Sequence, residues 1–471
     1  MGGVNPGTSA EPLRVAIVGA GPAGFYAASA LLGQNDVTVQ VDLIDRLPTP
    51  YGLVRAGVAP DHQSIKKVVQ VYERTARHPG FRFFGNVELG RDVQSRELVE
   101  RYHQVVYAVG NENDRRLGIP GEQALGCTPA TVFVGWFNAH PDYRNASFDL
   151  GVRRVAIVGN GNVAIDVARI LGRTPAELEA TDIADHALEG LRDSRVTHIF
   201  LLGRRGPLEA AFTPSELREL TELESTKLTV APEELVLDDS GRAALEAARP
   251  KDPRRRNYEI LQAAAANPRP APRQIECRFL VSPREVLVGA DGRVRGLRLE
   301  RNELVVEGGQ QRARGTGVYE ELEVGWVFVS IGYEGRPLPG VPFDRRQGTI
   351  ANVDGRVIDP DTGEPARGEY CVGWARSGAR GLIASHKAAS AQVARTMLDD
   401  QAQGWVPAVH RERDALAALL RERGVRFVTF ADWEHIDRTE VERGAVRGAP
   451  RVKFSEVEQM IDLVELQRRG W

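Results

Sequence analysis

Two glycine-rich runs, Gly19-Ala20-Gly21-Pro22-Ala23-Gly24 and Gly159-Asn160-Gly161-Asn162-Val163-Ala164, have the spacing that binds a dinucleotide pyrophosphate. In such a loop the first glycine makes a tight turn, the second lets backbone approach the phosphates, and the third lets helix and strand pack closely. The N–H groups and partial positive charge at the start of the following helix then favour an anion. Two such loops predict two nucleotides held at once, the arrangement needed to move electrons between cofactors.

The flanking residues supply the elements that must position these loops. Each run follows a short apolar strand, Arg14 to Val18 and Arg154 to Val158, and opens an alanine-rich helical stretch. A second strand, Val37 to Asp45, ends on a carboxylate 21 residues after Gly24, placed to accept the hydroxyls of an adenosine ribose. The second unit differs, because its strand Val196 to Leu202 runs through Gly203 into Arg204 and Arg205 with no acid at the ribose position. Two guanidinium groups there attract a 2′-phosphate. At about 1.5 to 3 kcal/mol for each charge-assisted bond, they predict a preference for NADPH over NADH of about two decades or more. Residues 172–195 read as an extra helix, and residues 238–274, rich in Ala, Pro and Arg, as an exposed solvated excursion. The apolar strand beginning at Trp326 is expected to return the chain to the first unit. Trp405, Trp433 and Trp471 read as packing material.

Composition narrows the class. At 471 residues the chain is expected to split into two or three domains. A formal net charge of −3 gives no global basic field, which argues against nucleic acid as a partner. Cys127, Cys277 and Cys371 form no closely spaced pair, so no metal cluster, redox dithiol or disulfide framework is expected. No apolar run is long enough for membrane insertion, and the start lacks a signal-like core, so a cytoplasmic location is expected.

The glycine loops, Asp45, the run from Leu47 to His62, and the run from Val158 to Arg169 together resemble the adrenodoxin reductase-type ferredoxin-NADP reductases. The likeness continues through Gly203-Arg204-Arg205-Gly206-Pro207, Glu216 to Leu220, Ser330-Ile331-Gly332-Tyr333 and Val372-Gly373-Trp374. It implies an α/β fold of two doubly wound, Rossmann-like dinucleotide-binding domains, with an NADP-binding domain (115–329) inserted in an FAD-binding domain (13–114 and 330–471). It further implies FAD on Gly19, Gly21, Ala23 and Gly24, with Asp45 on the ribose, Leu53 and Val87 lining the pocket, and Trp374, Gly381, Leu382 and Ile383 over the flavin. A helical run from Leu382 would aim its N-terminus at that ring. NADP(H) would meet Asn160, Gly161, Asn162 and Val163 at the pyrophosphate, Arg204 and Arg205 at the 2′-phosphate, and also Glu216, Arg115 and Gly381. His62 and Glu219 match positions near the nicotinamide and flavin, where they would place water and protons as the catalytic pair. Two departures are visible: Asp45 stands where many members have Glu, and Tyr51 where many have Trp.

The activity so implied is hydride transfer from NADPH to FAD, then single-electron transfer to a ferredoxin-type iron-sulfur protein. Arg218 and the Lys251 to Arg256 cluster are candidate contacts for an acidic partner, and equally plain solvated charge. An NADPH-dependent quinone reductase, diaphorase or monooxygenase is the enzymatic alternative. A nucleotide-binding redox sensor is the non-enzymatic one.

Overall fold

The computed structural model describes residues 6–111, 113–267, 269–307, 310–381, 383–409 and 412–470. Strand Leu13–Val18 pairs in parallel with Val39–Ile44 on one side and Gln104–Tyr107 on the other. Both faces of this central strand are covered: Leu13, Val15 and Ile17 enter one core, and Ala16 and Val18 the opposite one. A strand buried on both faces carries a continuous apolar run instead of an alternating one. Seven strands complete this sheet, in the order Asn352–Val353, Arg356–Ile358, Pro365–Cys371, Gln104–Tyr107, Leu13–Val18, Val39–Ile44 and Phe81–Phe84. Strands from both ends of the chain therefore share one sheet. Helix Pro22–Leu32 packs on helix Ser385–Ala402, joining the same two ends again.

The middle of the chain builds a second, six-stranded parallel sheet. Its order is Cys127–Pro129, Trp326–Val329, Arg154–Val158, His198–Leu202, Arg273–Arg278 and Thr226–Val230. Val155 and Ile157 point into a core shared with helices, while Ala156 and Val158 point into one shared with Val281, Val286, Leu297 and Leu299. That second face is thus covered by the antiparallel sheet of Val281–Val288, Val294–Glu307 and Gln310–Glu323.

Three expectations need correction. Trp326–Val329 belongs to the inserted sheet, between Cys127–Pro129 and Arg154–Val158, and the chain leaves that unit only after it. Residues 172–195 form two helices, Pro175–Glu179 and Asp185–Arg192. The 238–274 excursion holds helices Asp239–Ala247 and Pro253–Ala266, and the latter is anchored, with Asn257, Tyr258 and Leu261 buried. Asp252 caps that helix ahead of Pro253, the Tyr258 hydroxyl donates to the Leu235 carbonyl, and the Asn257 amide donates to the Phe212 carbonyl. Its arginines lie on the outer face, which is why composition alone reads as loop.

Two features join the units. Asn113–Asp114 and Tyr333–Glu334, the two chain crossings, pair as an antiparallel ribbon. The second is the C-terminal segment. Trp405 is partly buried and Trp433 buried, as packing requires, whereas Trp471 lies outside the described residues. Beyond helix Phe430–Ala445, Arg447 pairs with Asp185 and Arg144 with Glu456. Between them Lys453, buried, shares Asp182 with Lys66. The segment after Trp433 is therefore a strap between units as well as filler. Among the described residues no helix is long and apolar enough to cross a membrane.

Candidate active site

The first loop divides its work among its glycines as the spacing predicts. Gly19 has φ +111°, a left-handed conformation. Around Gly21 a Cβ would meet nothing within 4 Å, leaving open space above the loop. At Gly24 a Cβ would stand 2.1 Å from the Gly19 carbonyl oxygen, so helix Pro22–Leu32 can approach its strand only with glycine there. Two more glycines close on the loop: a Cβ on Gly373 would collide with that of Ala23, and one on Gly52 with the Gly21 backbone. Asp45 is fixed beside the loop, accepting the Ala20 N–H at 2.7 Å and the Leu47 N–H at 2.9 Å. Val87 is buried and bonds through its N–H to the Asp45 carbonyl, while Leu53 is partly exposed. Asn111, beyond the end of strand Gln104–Tyr107, is buried with neither amide nitrogen nor oxygen partnered. Open space over Gly21 leaves room for a bound group, and the orphaned amide of Asn111, which lies against Gly335, calls for a polar partner of its own.

Trp374 stacks on Tyr333, ring centroids 5.4 Å apart, and donates its indole N–H to the Arg380 carbonyl. Gly381 is exposed at φ +87°, and Ile383 packs against the core. Leu382 lies outside the described residues. Among the described residues the α-helix spans Ser385–Ala402, and three-residue bonds run from His386 to Ile383 and from Lys387 to Ala384 at its start.

The second loop repeats the pattern with one change. Gly159 has φ +132° and lies against the Ser330 carbonyl, and Gly161 again borders open space. Ala164, buried, holds the third position. Asn162 Oδ1 accepts the Thr213 N–H at 2.9 Å, and the Asn160 carbonyl accepts the Ala211 N–H at 2.9 Å, tying the loop to the turn before helix Pro214–Thr221. The Asn160 side chain rests on Gly203, and Val163 packs against the inserted core. Arg204 and Arg205 are held by their backbones, their carbonyls accepting from the Asn302 amide and the Leu280 N–H. Neither guanidinium forms a close ion pair among the described residues, although the charge of Arg205 opposes the burial-driven rise of the Glu209 pKa; Arg204 is exposed and Arg205 half-buried. Arg115 is exposed beside the ribbon, with its Nε donating to the Tyr333 carbonyl at 3.3 Å.

Between the loops the units meet in a cluster of charge. His62 Nε2 lies 2.5 Å from Glu219 Oε2 and 3.6 Å from Glu216 Oε2. Asp61 and His62 come from the split unit; Asp166, Arg169, Glu216 and Glu219 come from the inserted one. Arg169 is wholly buried, donating to Asp61 at 2.7 and 3.1 Å and to Asp166 at 2.7 Å. It also reaches Glu216 and Glu219, each at 3.3 Å. Burial is the largest influence on His62 and pulls its pKa down, but the Glu219 hydrogen bond together with the charges of Asp166 and Glu216 outweighs burial and Arg169, so the net shift is upward. Burial pushes the Asp166 carboxyl up to about 6 against the pull of Arg169. Burial likewise raises Glu216, whereas the His62 bond and Arg169 carry Glu219 below its usual range despite burial. His62, Glu216 and Glu219 each offer a ligand atom within 4.8 Å of the others, as a metal trio would. Here the cation beside both carboxylates is the Arg169 guanidinium.

His62 and Glu219, distant in sequence, are thus brought together, and Glu216 joins them. Asp61, Asp166 and Arg169 were not singled out from the sequence. Their signal was a charged pair three residues apart on a helix whose neighbours Val167, Ala168, Ile170 and Leu171 are apolar and buried.

The family of pyridine nucleotide-disulphide oxidoreductases matches residues 13–200. Cys127, Cys277 and Cys371 are free thiols, with no pair for disulphide chemistry among them. NADPH-ferredoxin reductase FprA of Mycobacterium leprae is 43% identical, over 95% of this chain and 97% of that protein. Mitochondrial NADPH:adrenodoxin oxidoreductase of Bos taurus is 42% identical, over 97% and 93%. The solved structure of Mycobacterium tuberculosis FprA in complex with NADPH superposes with a TM-score of 0.90 at 42% identity, covering 96% of this chain and all of that one (100%). Near-complete coverage on both sides, joined to paired nucleotide loops, means that the chain belongs to the adrenodoxin reductase-type ferredoxin-NADP reductases.

Proposed function

We infer that the protein is an FAD-dependent ferredoxin-NADP reductase, which passes hydride from NADPH to FAD and single electrons onward to a ferredoxin-type iron-sulfur protein. The observation that carries this reading is the meeting of two glycine-loop units at the His62–Glu219 contact of 2.5 Å. FAD, when bound, supplies the exchange between two-electron and one-electron chemistry.

The reading assigns residues 13–114 and 330–471 to the FAD domain and 115–329 to the NADP domain, supported by strands from both chain ends sharing one sheet. It assigns the flavin nucleotide to Gly19, Gly21, Ala23, Gly24 and Asp45, with Leu53, Val87, Trp374, Gly381, Leu382 and Ile383 around the flavin. NADP(H) falls to Asn160, Gly161, Asn162, Val163, Arg204 and Arg205, with Arg115, Glu216 and Gly381 nearby. The open space at Gly21 and Gly161 and the free guanidiniums of Arg204 and Arg205 support these assignments. His62 Nε2 and Glu219 Oε2 hold one proton between them at the unit boundary, a local store for general acid–base work.

Partner docking belongs to the inserted unit in this reading. Arg218 and the basic residues around Arg254 are exposed on helices Pro214–Thr221 and Pro253–Ala266, which pack together. An acidic ferredoxin would be drawn there, more weakly as salt rises. A cytoplasmic setting completes the proposal, supported by the three free thiols.

Anaerobic titration with NADPH, followed by addition of candidate ferredoxins, tests the activity directly. Bleaching of the flavin and reduction of a ferredoxin are expected; rapid quinone turnover with no ferredoxin reduced would overturn it. For the catalytic pair, unchanged flavin reduction in stopped-flow kinetics of the His62→Ala, Glu219→Ala double variant would refute the assignment.

A further inference from the structure

We propose that Arg169 is a positioning residue of this site: anchored across the unit boundary to Asp61, its guanidinium holds the His62 imidazole with Nδ1 unprotonated and the Nε2 proton directed at Glu219. The inference rests on the functional reading above for what His62 does, and on local geometry for the rest.

A guanidinium donates from all its nitrogens, accepts nothing and does not lose its charge. Arg169 places its NH2 nitrogen 3.4 Å from His62 Nδ1, a shared contact, since the two protons of that nitrogen also face Asp166 at 2.7 Å and Asp61 at 3.1 Å. A donor facing Nδ1 requires a lone pair there, so the single proton of the neutral ring belongs on Nε2, where Glu219 Oε2 waits at 2.5 Å. The arrangement is rigid because Arg169 cannot swing away. Its Nε and NH2 fork onto both oxygens of Asp61, which is the residue preceding His62 in the chain. One guanidinium therefore fixes the backbone that carries the imidazole and also selects the ring's tautomer.

The groups facing His62 set the direction of the effect. Asp166 and Arg169 come from helix Asn162–Gly172, and Glu216 and Glu219 from helix Pro214–Thr221. Asp61 adjoins it in the chain and is braced by Arg173 at 2.9 Å. Asp166 Oδ1, 3.9 Å from Nδ1, is the acceptor that would take over an Nδ1 proton. Among the described residues Arg169 is the cation that touches the ring, and it opposes the second protonation. Removing it withdraws that opposition, which favours imidazolium while Glu219, bonded to Nε2, stays ionised.

The test is long-range 1H–15N NMR of [15N]histidine-labelled holoenzyme across pH. His62, one of nine histidines, is assigned by the signal lost in His62→Gln. The wild type is expected to show protonated Nε2 and bare Nδ1. Arg169→Met is expected to raise the titration midpoint of His62 by about one unit or more and to abolish the tautomer preference. Arg169→Lys keeps the charge but has one nitrogen to share between Asp61 and Nδ1, so a mixed tautomer is expected. The pH profile of flavin reduction by NADPH is expected to shift upward in parallel. A wild-type ring carrying its proton on Nδ1 would overturn the proposal without any variant having to fold. An unchanged tautomer and midpoint in either variant would reduce Arg169 to a structural role. Should NADPH fail to reduce the flavin at all, the functional reading falls while the NMR result still decides the role of Arg169.

Discussion

Replacing Arg204 and Arg205 together by alanine probes nucleotide choice at the site proposed for NADP(H). The backbones of both residues are pinned by Asn302 and Leu280, so the substitution removes two guanidiniums without moving the turn. Neither takes part in a close ion pair among the described residues; Arg205 does favour the charged form of half-buried Glu209, whose pKa should rise further in the variant. Because Arg204 is exposed and Arg205 only half-buried, the lower end of the range for a charge-assisted bond applies, about 1.5 kcal/mol each. Two contacts to separate phosphate oxygens then amount to about 3 kcal/mol, and at about 1.4 kcal/mol per decade the NADPH/NADH ratio of kcat/KM should fall by about 100-fold or more. Steady-state ferricyanide reduction with each nucleotide measures that ratio. The loss should fall mainly on KM for NADPH, with NADH little changed, and it should shrink at high ionic strength. A ratio within about threefold of wild type would refute the argument, since one charge-assisted bond alone predicts more.

Gly21 and Gly24 should fail differently. Gly21→Ala meets open space and should fold normally yet lose FAD, read from absorbance near the flavin band, whereas Gly24→Ala should also destabilise the chain by about 2 kcal/mol or more in urea, its methyl colliding with the Gly19 carbonyl. Asp61 should govern acid stability. Burial would raise its pKa, but Arg169, His62 and Arg173 outweigh that and hold it at about 2, below the unfolded value of about 3.9. Its contribution, about 2 kcal/mol, is therefore complete above about pH 4 and disappears as pH falls towards 2, so the melting curves of wild type and Asp61→Asn should converge over that interval. Asp182→Ala leaves the buried ammoniums of Lys66 and Lys453 without their shared carboxylate. It should cost about 3 kcal/mol or more and split urea unfolding into two transitions, and a single transition at an unchanged midpoint would dismiss the strap.

The glycine loops were legible because their geometry is local: turn, open face and close contact at Gly19, Gly21 and Gly24 follow from spacing within six residues. The strands through Val18 and Val158 were equally plain, since burial on both faces leaves an unbroken apolar run. What local pattern does not carry is where a long-range contact closes. Asp61 and Arg169 look like ordinary charged residues until two units bring them together, and Lys453 looks like surface charge until its strap crosses to Asp182. Helix Pro253–Ala266 was hidden by its outward arginines, its inner face resting on just a few buried side chains.

The ribbon of Asn113–Asp114 with Tyr333–Glu334 means that the intervening polypeptide begins and ends at adjacent points, Asp114 standing opposite Tyr333. Paired antiparallel residues lie about 5 Å apart, a gap that a short linker spans. The central segment is thus a cassette on a common doorstep, exchangeable between relatives as a block without rethreading the host sheet. Coenzyme preference could in that way be inherited or engineered separately from flavin binding.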